Sequence, residues 1–310
     1  MPVPSNSSKP TVTQSEPNPI DPPDEAAARP AGFTICHLPV RGELSDSVSA
    51  LVAVEVDGAG PIPLAIAPHE SLMLSVQLGR GSDPIEAKGE PGHNTSLTGI
   101  RNWTGSFHGG GNCITLFALL TPLGSVRLLE SQPLENAPRI RASVAELLER
   151  QPIRELESQI ALAPSLEAKL QRFAAWLESR ALANRSQTPA ALRAGRAATR
   201  LCREPALAVE ALAHEQHVSR RQLERDFNRW LGTSPRHLAQ VARVQAVSRL
   251  AQRGAALADI AADLAYADQA HMSRMVRQLT GLTPRRFAHA GHSALGAAFR
   301  RATGGGTVYL

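Results

Sequence analysis

Ten residues in the C-terminal third of the chain have side chains whose chemistry suits contact with a DNA duplex. The first group is Arg220, Arg221, Glu224 and Arg225, and the second is Gln269, Ala270, His271, Ser273, Arg274 and Arg277. Residues three or four positions apart share one face of a helix. Arginine, glutamine, glutamate and serine can bond base edges or phosphates in a major groove, and an alanine methyl can touch a thymine methyl. A solvated helix face explains either group alone equally well.

Both groups belong to a sequence unit that occurs twice, at residues 209–238 and 257–287. The residues repeated at a constant offset are Arg225, Phe227, Gly232, Ser234 and Pro235 in the first copy, and Arg274, Val276, Gly281, Thr283 and Pro284 in the second. The turn of the second copy has one extra residue. Two copies with matching arginines favour DNA binding over a solvated face.

Each copy predicts a helix-turn-helix. The first helix of the first copy has Val209, Leu212 and Ala213 on one face. The apolar stripes of the second helices are Leu223, Phe227 and Trp230, and Met272, Val276 and Leu279. The predicted N-caps are Ser219 and Asp268, the predicted C-cap glycines are Gly232 and Gly281, and Pro235 and Pro284 begin the next helices.

A long helix at residues 235–253 is predicted between the two copies, with Leu238, Val241, Val244 and Leu250 facing inward. At 1.5 Å per residue it is roughly 25–28 Å long. Successive major grooves on one face of DNA are about 34 Å apart. This helix therefore has the length needed to place two recognition helices in adjacent grooves.

The charge is unevenly distributed along the 310 residues. Residues 190–310 contain 18 arginines, no lysine and 8 acidic residues, a net charge of +10, so residues 1–189 carry −5 of the overall +5. A basic region beside an acidic one is typical of a nucleic-acid-binding module joined to another domain.

Other sequence features exclude several classes of protein. Cys36, Cys113 and Cys202 are scattered without paired spacing, which disfavours a disulfide framework or a metal site. The N-terminus lacks the pattern of a signal peptide, and no apolar run reaches transmembrane length. A cytoplasmic protein without a membrane partner is expected.

The N-terminal half predicts a β-rich domain after a disordered segment. Residues 1–30 are rich in Pro, Ser, Asn and Asp, so they cannot bury enough apolar surface to order. Residues 32–129 alternate short apolar runs with turn signals, which predicts an antiparallel sandwich or cupin-like barrel. The predicted strands are 48–56, 64–66, 71–78, 96–99, 105–108 and 113–120.

A metal-dependent cupin-like enzyme is the alternative function from another class. The candidate ligands are His37, His69, His93, His108, Glu70 and Glu90. A cupin site needs alternating ligands on one strand, whereas adjacent His69 and Glu70 point to opposite faces if they lie on a strand. No metal, no cofactor and no catalytic residue are therefore predicted, and the protein is not expected to be an enzyme.

Residues 137–183 have a helical pattern. Their predicted apolar faces are Val144, Leu147 and Leu148, then Leu156 and Ile160, then Leu166, Leu170, Phe173, Trp176 and Leu177. These helices cover the sheet, or the last of them pairs with its counterpart in a second subunit, and the sequence leaves both open. Residues 184–189 predict an interdomain linker, 190–203 a helix, and 291–310 a mobile tail.

The C-terminal region resembles the AraC/XylS family of bacterial transcription regulators. The matching segments are SRRQLERDF from Ser219, GTSP from Gly232, Arg243-Val244-Gln245, and the stretch from Asp259 to Phe287. The resemblance covers about residues 190–290. It implies a seven-helix DNA-binding domain with two helix-turn-helix units, joined to a variable effector or dimerisation domain at residues 31–183.

The resemblance also implies base-reading roles, in double-stranded DNA over two successive major-groove segments, for Arg221, Glu224 and Arg225 in the first unit and for Gln269, Ala270, His271, Ser273 and Arg274 in the second. Arg220, Arg221, Arg236, Arg277 and Arg285 are expected to contact phosphates. The family's usual Gly-Phe in the second turn is Ala265-Tyr266 here, and Met272 and Val276 replace its aromatic anchors. The first unit is therefore expected to supply most base discrimination.

The implied function is a two-domain α+β, sequence-specific transcription regulator with an all-α C-terminal domain. Control by a small-molecule effector or a protein contact is expected through the N-terminal domain, and RNA polymerase and a second copy of the chain are further candidate partners. A non-specific DNA-binding protein is the remaining alternative. The operator, the effector and the direction of regulation stay open.

Overall fold

A computed structural model describes residues 32–57, 62–79, 83–84, 95–100, 105–109, 113–129, 142–143, 150–184, 187–289, 296–298 and 301. The predicted disordered segment 1–30 lies outside the described residues, as does most of the predicted tail. His93, Glu90 and the predicted apolar face of Val144, Leu147 and Leu148 lie outside them as well.

The N-terminal half is an antiparallel β structure, as predicted. Its strands are β1 Gly32–Leu38, β2 Val48–Asp57, β3 Ile62–Ile66, β4 Leu72–Gly79, β5 Asp83–Pro84, β6 Thr95–Thr98, β7 Gly105–Gly109, β8 Cys113–Leu120 and β9 Ala142–Ser143. A six-stranded sheet has the order β1-β2-β8-β4-β6-β9, and a three-stranded sheet has the order β3-β7-β5. The apolar strands β2, β4 and β8 are largely buried and lie inside the larger sheet.

Several elements of this half differ from the sequence prediction. Residues 142–143 form a strand paired with β6, where the sequence pattern predicted helix from residue 137. The region predicted as β also contains a helix, α1 Pro122–Leu128, which Thr121 caps by accepting a hydrogen bond from the Gly124 amide. His69 and Glu70 lie in the loop between β3 and β4, so the opposite-face argument for a strand does not apply to them.

Two helices pack against the larger sheet. They are α2 Arg150–Leu162 and α3 Leu166–Ala183, and α3 contacts β1 and β2. The buried Lys169 side chain donates to the carbonyl oxygens of Ile160, Ala161 and Ala163 at 2.7–3.1 Å. This lysine satisfies the free carbonyls where α2 ends, which holds the sharp turn between the helices.

The C-terminal half is helical. Its elements are α4 Pro189–Arg203, α5 Val209–Glu215, α6 Arg220–Leu231, α7 Pro235–Gln252, α8 Leu257–Asp263, α9 Gln269–Thr280 and α10 Pro284–His289. None of the helices formed by the described residues has the length and apolar character needed to cross a membrane.

The caps predicted from sequence are present in both repeated units. Ser219 accepts a hydrogen bond from the Gln222 amide at 3.2 Å, and Asp268 accepts one from the His271 amide at 2.5 Å. Gly232 and Gly281 have φ of 63° and 74°, the left-handed conformation that ends a helix with least strain in glycine. The sequence alone therefore placed the ends of both recognition helices correctly.

The turns of the two units also share one backbone conformation. His217 and Ala265 have φ of 54° and 55°, and the next residues, Val218 and Tyr266, donate equivalent backbone hydrogen bonds to Ala213 and Ala261. Each turn thus contains a non-glycine residue in a conformation that disfavours a Cβ atom.

Substituting Ala265 with glycine is expected to raise the free energy of unfolding by about 0.5–1 kcal/mol. Glycine relieves the left-handed strain, which outweighs its greater entropy in the unfolded chain. The measurement is urea denaturation, with Ala262→Gly as control. Ala262 is exposed within α8, so glycine there should lower stability by about 1 kcal/mol. Equal losses in both variants would contradict the strain at Ala265.

Helix α1 connects the sheet to the helical half. A Cβ added to Gly124 would lie 1.8 Å from the Ser47 carbonyl oxygen, and one added to Gly195 of α4 would lie 3.0 Å from the Leu123 Cα. Both glycines therefore allow backbone contact, the first with the start of β2 and the second between α1 and α4. One continuous cluster of buried apolar side chains extends from the larger sheet through α4 to both repeated units.

Candidate nucleic-acid interface

Helix α6 is anchored by its apolar face and exposes its predicted contact residues. Leu223, Phe227 and Trp230 are buried. The predicted contacts on the opposite side are Arg220, Arg221 and Arg225, which are exposed, and Glu224, which is half-buried. The helix therefore presents three arginines at the surface from a rigid base.

Two carboxylates hold Arg220. Its guanidinium lies 2.5 Å from Glu210 of α5 and 2.9 Å from Glu224, one turn further along α6. The hydrogen bond that Arg220 donates to Glu224 is the largest cause that raises the pKa of Arg220, followed by the charge of Glu210. Arg220 thus keeps its charge, but two neighbouring acids balance it.

A chain of polar contacts positions Arg225. Its Nη2 donates to Gln222 Oε1 at 2.5 Å, and Gln222 Nε2 donates to Asp226 Oδ1 at 2.7 Å. The guanidinium of Arg193 on α4 pairs with the buried Asp226. The Oδ2 atom of Asp226 lies 2.6 Å from Nη2 and accepts a hydrogen bond from Nε at 2.8 Å. These contacts tie Arg225 to the helix behind the recognition helix. The sequence prediction missed Arg193, Gln222 and Asp226, although an acidic residue beside the apolar stripe of α6 was a usable signal.

Helix α9 is anchored by buried Met272, Val276 and Leu279. Its exposed predicted contacts are Gln269, Ala270, Arg274 and Arg277, while His271 and Ser273 are half-buried. All ten predicted residues therefore lie on α6 or α9. Arg274 and Arg277 also line a hollow of about 350 Å³ with Ser273 and with Arg285 of α10, which makes a second concentration of positive charge.

Two of the α9 side chains already have partners within the chain. The Ser273 hydroxyl donates to the Gln269 carbonyl at 2.9 Å. His271 Nδ1 accepts from the Ala267 amide at 3.3 Å, and its ring meets the Tyr266 ring edge-on with centroids 5.6 Å apart. With Nδ1 as acceptor, the ring proton of His271 lies on Nε2, which is a hydrogen-bond donor.

Helix α7 holds the two units together, and Arg243 is central to this contact. Arg243 Nε donates to the Pro205 carbonyl just before α5 at 2.8 Å, and its guanidinium lies 6.0 Å from the ring centroid of Tyr266 in the second turn. One side chain of α7 therefore contacts both units. Tyr266 is buried, which raises its pKa to about 12, and its hydroxyl has no hydrogen-bond partner among the described residues.

The comparison with protein families identifies this region. The family described as "Helix-turn-helix domain" (HTH_18) matches residues 212–290, which contain most of both units. The C-terminal region is an AraC-type helix-turn-helix domain. The protein is a DNA-binding transcription regulator. No curated protein sequence matches the chain significantly.

Three solved structures similar to the chain contain regulators of this type. An AraC-type transcriptional regulator from Chromobacterium violaceum is 26% identical, over 31% of this chain and 89% of that one, with a TM-score of 0.30. ToxT from Vibrio cholerae O395 is 13% identical, over 83% and 97% of the two chains, with a TM-score of 0.40. The AraC-like transcriptional activator CuxR is 12% identical, over 66% and 78%, with a TM-score of 0.25.

The candidate metal ligands of the N-terminal half do not converge where the structure describes them. Among the described residues, no group of three or more His, Cys, Asp or Glu side chains could hold a metal ion. His69 instead accepts a hydrogen bond from the Ser71 amide through Nδ1 at 3.0 Å. The three cysteines are unpaired, and burial raises the pKa of the Cys202 thiol.

Proposed function

We propose that the protein binds a specific DNA sequence, with α6 and α9 reading two successive major-groove segments of one site. The observation that carries this proposal is the fixed pairing of two equivalent units on α7, each with an anchored helix and exposed arginines. Successive major grooves lie about 34 Å apart on one face of a duplex, so two equivalent helices such as α6 and α9 can enter adjacent grooves.

Selection of bound duplexes from a random library tests the proposal. The expected product is a site with two short conserved blocks separated by about one helical turn. Enrichment of no sequence, together with equal affinity for random and selected DNA, would support a non-specific binder instead. Binding should also weaken steeply with salt, with a log–log slope of roughly −5 for about six phosphate contacts.

We also propose that the N-terminal domain controls DNA binding through α7. The loop between β3 and β4 contacts the face of α7 that carries Gln245 and Arg249. The buried Gln245 donates through Nε2 to the Pro68 carbonyl, and Arg249 Nη1 lies 3.0 Å from Glu70 Oε1. An effector or protein that moves this loop would therefore shift α7, the helix that sets the spacing between α6 and α9.

Changing Glu70 to glutamine is expected to weaken binding of the selected site about two- to fivefold. The half-buried pair of Glu70 and Arg249 restrains α7. Because solvent screens this pair, its loss should reduce the DNA-binding free energy by only about 0.5–1 kcal/mol. Fluorescence anisotropy would measure the affinity. Asp46→Asn is the control, since Asp46 pairs with Arg127 at 3.5 Å within the N-terminal domain. If Glu70→Gln and Arg249→Gln have additive effects, the pair is not the coupling element.

A further inference from the structure

An open cleft of about 340 Å³ lies between the two helix-turn-helix units of the AraC-type domain. The start of α5 and Arg220 of α6 line it from the first unit, and Tyr266, His271 and Met275 line it from the second. Helix α7 contributes Arg236. Sites for small organic molecules have volumes of about 300–1,000 Å³, so this cleft is large enough for a compact ligand.

Part of the lining is apolar. Leu207, Val209 and Met275 are half-buried, and each packs against the core while also lining the cleft. Leu207 and Val209 lie at the start of the first unit, whereas Met275 belongs to α9 of the second. One apolar ligand body could therefore cover side chains of both units and remove them from water. The thioether of Met275 also makes favourable contacts with aromatic rings, which favours an aromatic body.

The polar part of the lining offers hydrogen-bond donors without matching acceptors. Arg236 is exposed in the first turn of α7 and pairs with no acid among the described residues. The buried Tyr266 hydroxyl has no partner among them either, and its pKa of about 12 keeps it protonated at neutral pH. His271 adds a donor at Nε2. Among the described residues of the lining, the one acid is Glu210, which already pairs with Arg220.

We propose that this cleft binds a small organic carboxylate with an apolar, aromatic body. Arg236 supplies the counter-charge, because a guanidinium matches the geometry of a carboxylate. Tyr266 supplies a hydrogen bond, and a ligand that accepts it satisfies a buried hydroxyl that otherwise has no partner. The body of the ligand covers the apolar side chains of the lining. A polar anion such as free phosphate would leave that apolar part uncovered.

The cleft overlaps the proposed DNA interface, since Arg220 and His271 belong both to its lining and to the two sets of proposed DNA contacts. A bound carboxylate would also neutralise positive charge on that surface. The ligand and DNA therefore exclude each other, a step that rests on the proposed function. Such a ligand would release the protein from DNA without acting through the loop between β3 and β4.

The closing experiment is isothermal titration calorimetry of the full chain without DNA, at constant ionic strength. The probes are 3-phenylpropionate, 2-naphthoate and cyclohexanecarboxylate, each beside its primary amide, with acetate as the carboxylate that lacks an apolar body. We expect at least one aromatic carboxylate to bind with one-to-one stoichiometry. It should bind at least about tenfold more tightly than its amide and than acetate, because the amide lacks the charge and acetate lacks the body.

Four variants locate the bound carboxylate. Tyr266→Phe keeps the ring beside His271 and should weaken binding about three- to tenfold. Arg236→Gln should weaken it about tenfold or more and leave amide binding unchanged. Glu210→Gln removes a like charge and frees Arg220, so carboxylate binding should become about two- to fivefold tighter. Arg172→Gln, at an exposed position of α3, is the charge-matched control and should resemble wild type.

Two calorimetric outcomes would overturn the proposal. One is that no carboxylate of the panel binds more tightly than its amide. The other is that Tyr266→Phe and Arg236→Gln bind the carboxylate as tightly as wild type does, which would place the ligand elsewhere in the chain.

A duplex that the protein has itself selected tests the exclusion of DNA. A saturating carboxylate should weaken binding of this duplex about tenfold, and the duplex should weaken carboxylate binding by the same factor. Unchanged duplex affinity at saturating carboxylate would contradict the exclusion. If library selection enriches no duplex, the proposed function fails while calorimetry still tests the cleft, so the two failures are distinguishable.

Discussion

Replacing Asp226 with alanine is expected to lower the free energy of unfolding by about 3–5 kcal/mol. The Asp226 side chain is 5% exposed. It forms an ion pair with Arg193 and accepts a hydrogen bond from Gln222. Arg193 is itself only 19% exposed, so the substitution leaves a largely buried guanidinium without its counter-charge. Removing one partner of a buried pair costs far more than removing both.

Urea denaturation followed by circular dichroism measures this loss. Asp263→Ala is the control, since Asp263 is exposed on α8 and should change stability by no more than about 0.5 kcal/mol. Replacing both Arg193 and Asp226 with apolar residues of similar volume should restore much of the stability. If Asp226→Ala is as stable as the control, the ion pair between Arg193 and Asp226 contributes little to the free energy of unfolding.

Replacing Arg225 with alanine is expected to weaken binding of the selected duplex by about 1–3 kcal/mol, or roughly 5- to 150-fold, and to relax specificity at one position. Arg225 is exposed on α6, and Gln222, itself bonded to Asp226, holds its guanidinium. A side chain ordered before binding loses less entropy when it meets a base edge. Arg225 should therefore contribute more to the free energy of DNA binding than a surface arginine without such restraint.

Competition binding against single-base variants of the site measures both effects. Arg229→Ala is the matched control, because Arg229 lies on the same helix but stacks over Trp230 at 5.0 Å. The Arg229 variant should keep the wild-type sequence preference. We expect Arg274→Ala to shift preference less than Arg225→Ala does. A larger shift in Arg274→Ala would show that the second unit supplies most of the base discrimination.

Features that depend on neighbours in the chain were predictable from the sequence. The N-caps Ser219 and Asp268 and the C-cap glycines Gly232 and Gly281 lie where expected, because each bonds its own helix within a few residues. The repeat itself predicted two equivalent units, and the shared left-handed residue in their turns shows that the equivalence extends to the backbone. The placement of all ten proposed contact residues on α6 and α9 follows from the same local periodicity.

Features that depend on distant partners were not predictable. The strand at residues 142–143 pairs with β6, a segment more than 40 residues away, so its local helical pattern could not indicate it. Helix α1 was missed because its seven residues are too short to show a periodic stripe, and its packing relies on Gly195, far along the chain.

The sequence by itself determined that this protein has two helix-turn-helix units, where each recognition helix begins and ends, and which side chains its exposed faces present. Only the tertiary structure decided how those side chains are held. Arg193 meets Asp226, Glu70 meets Arg249, and Arg243 contacts both units. Caps and helical faces arise from contacts within one or two turns, whereas these pairs join residues whose proximity depends on the packing of whole helices.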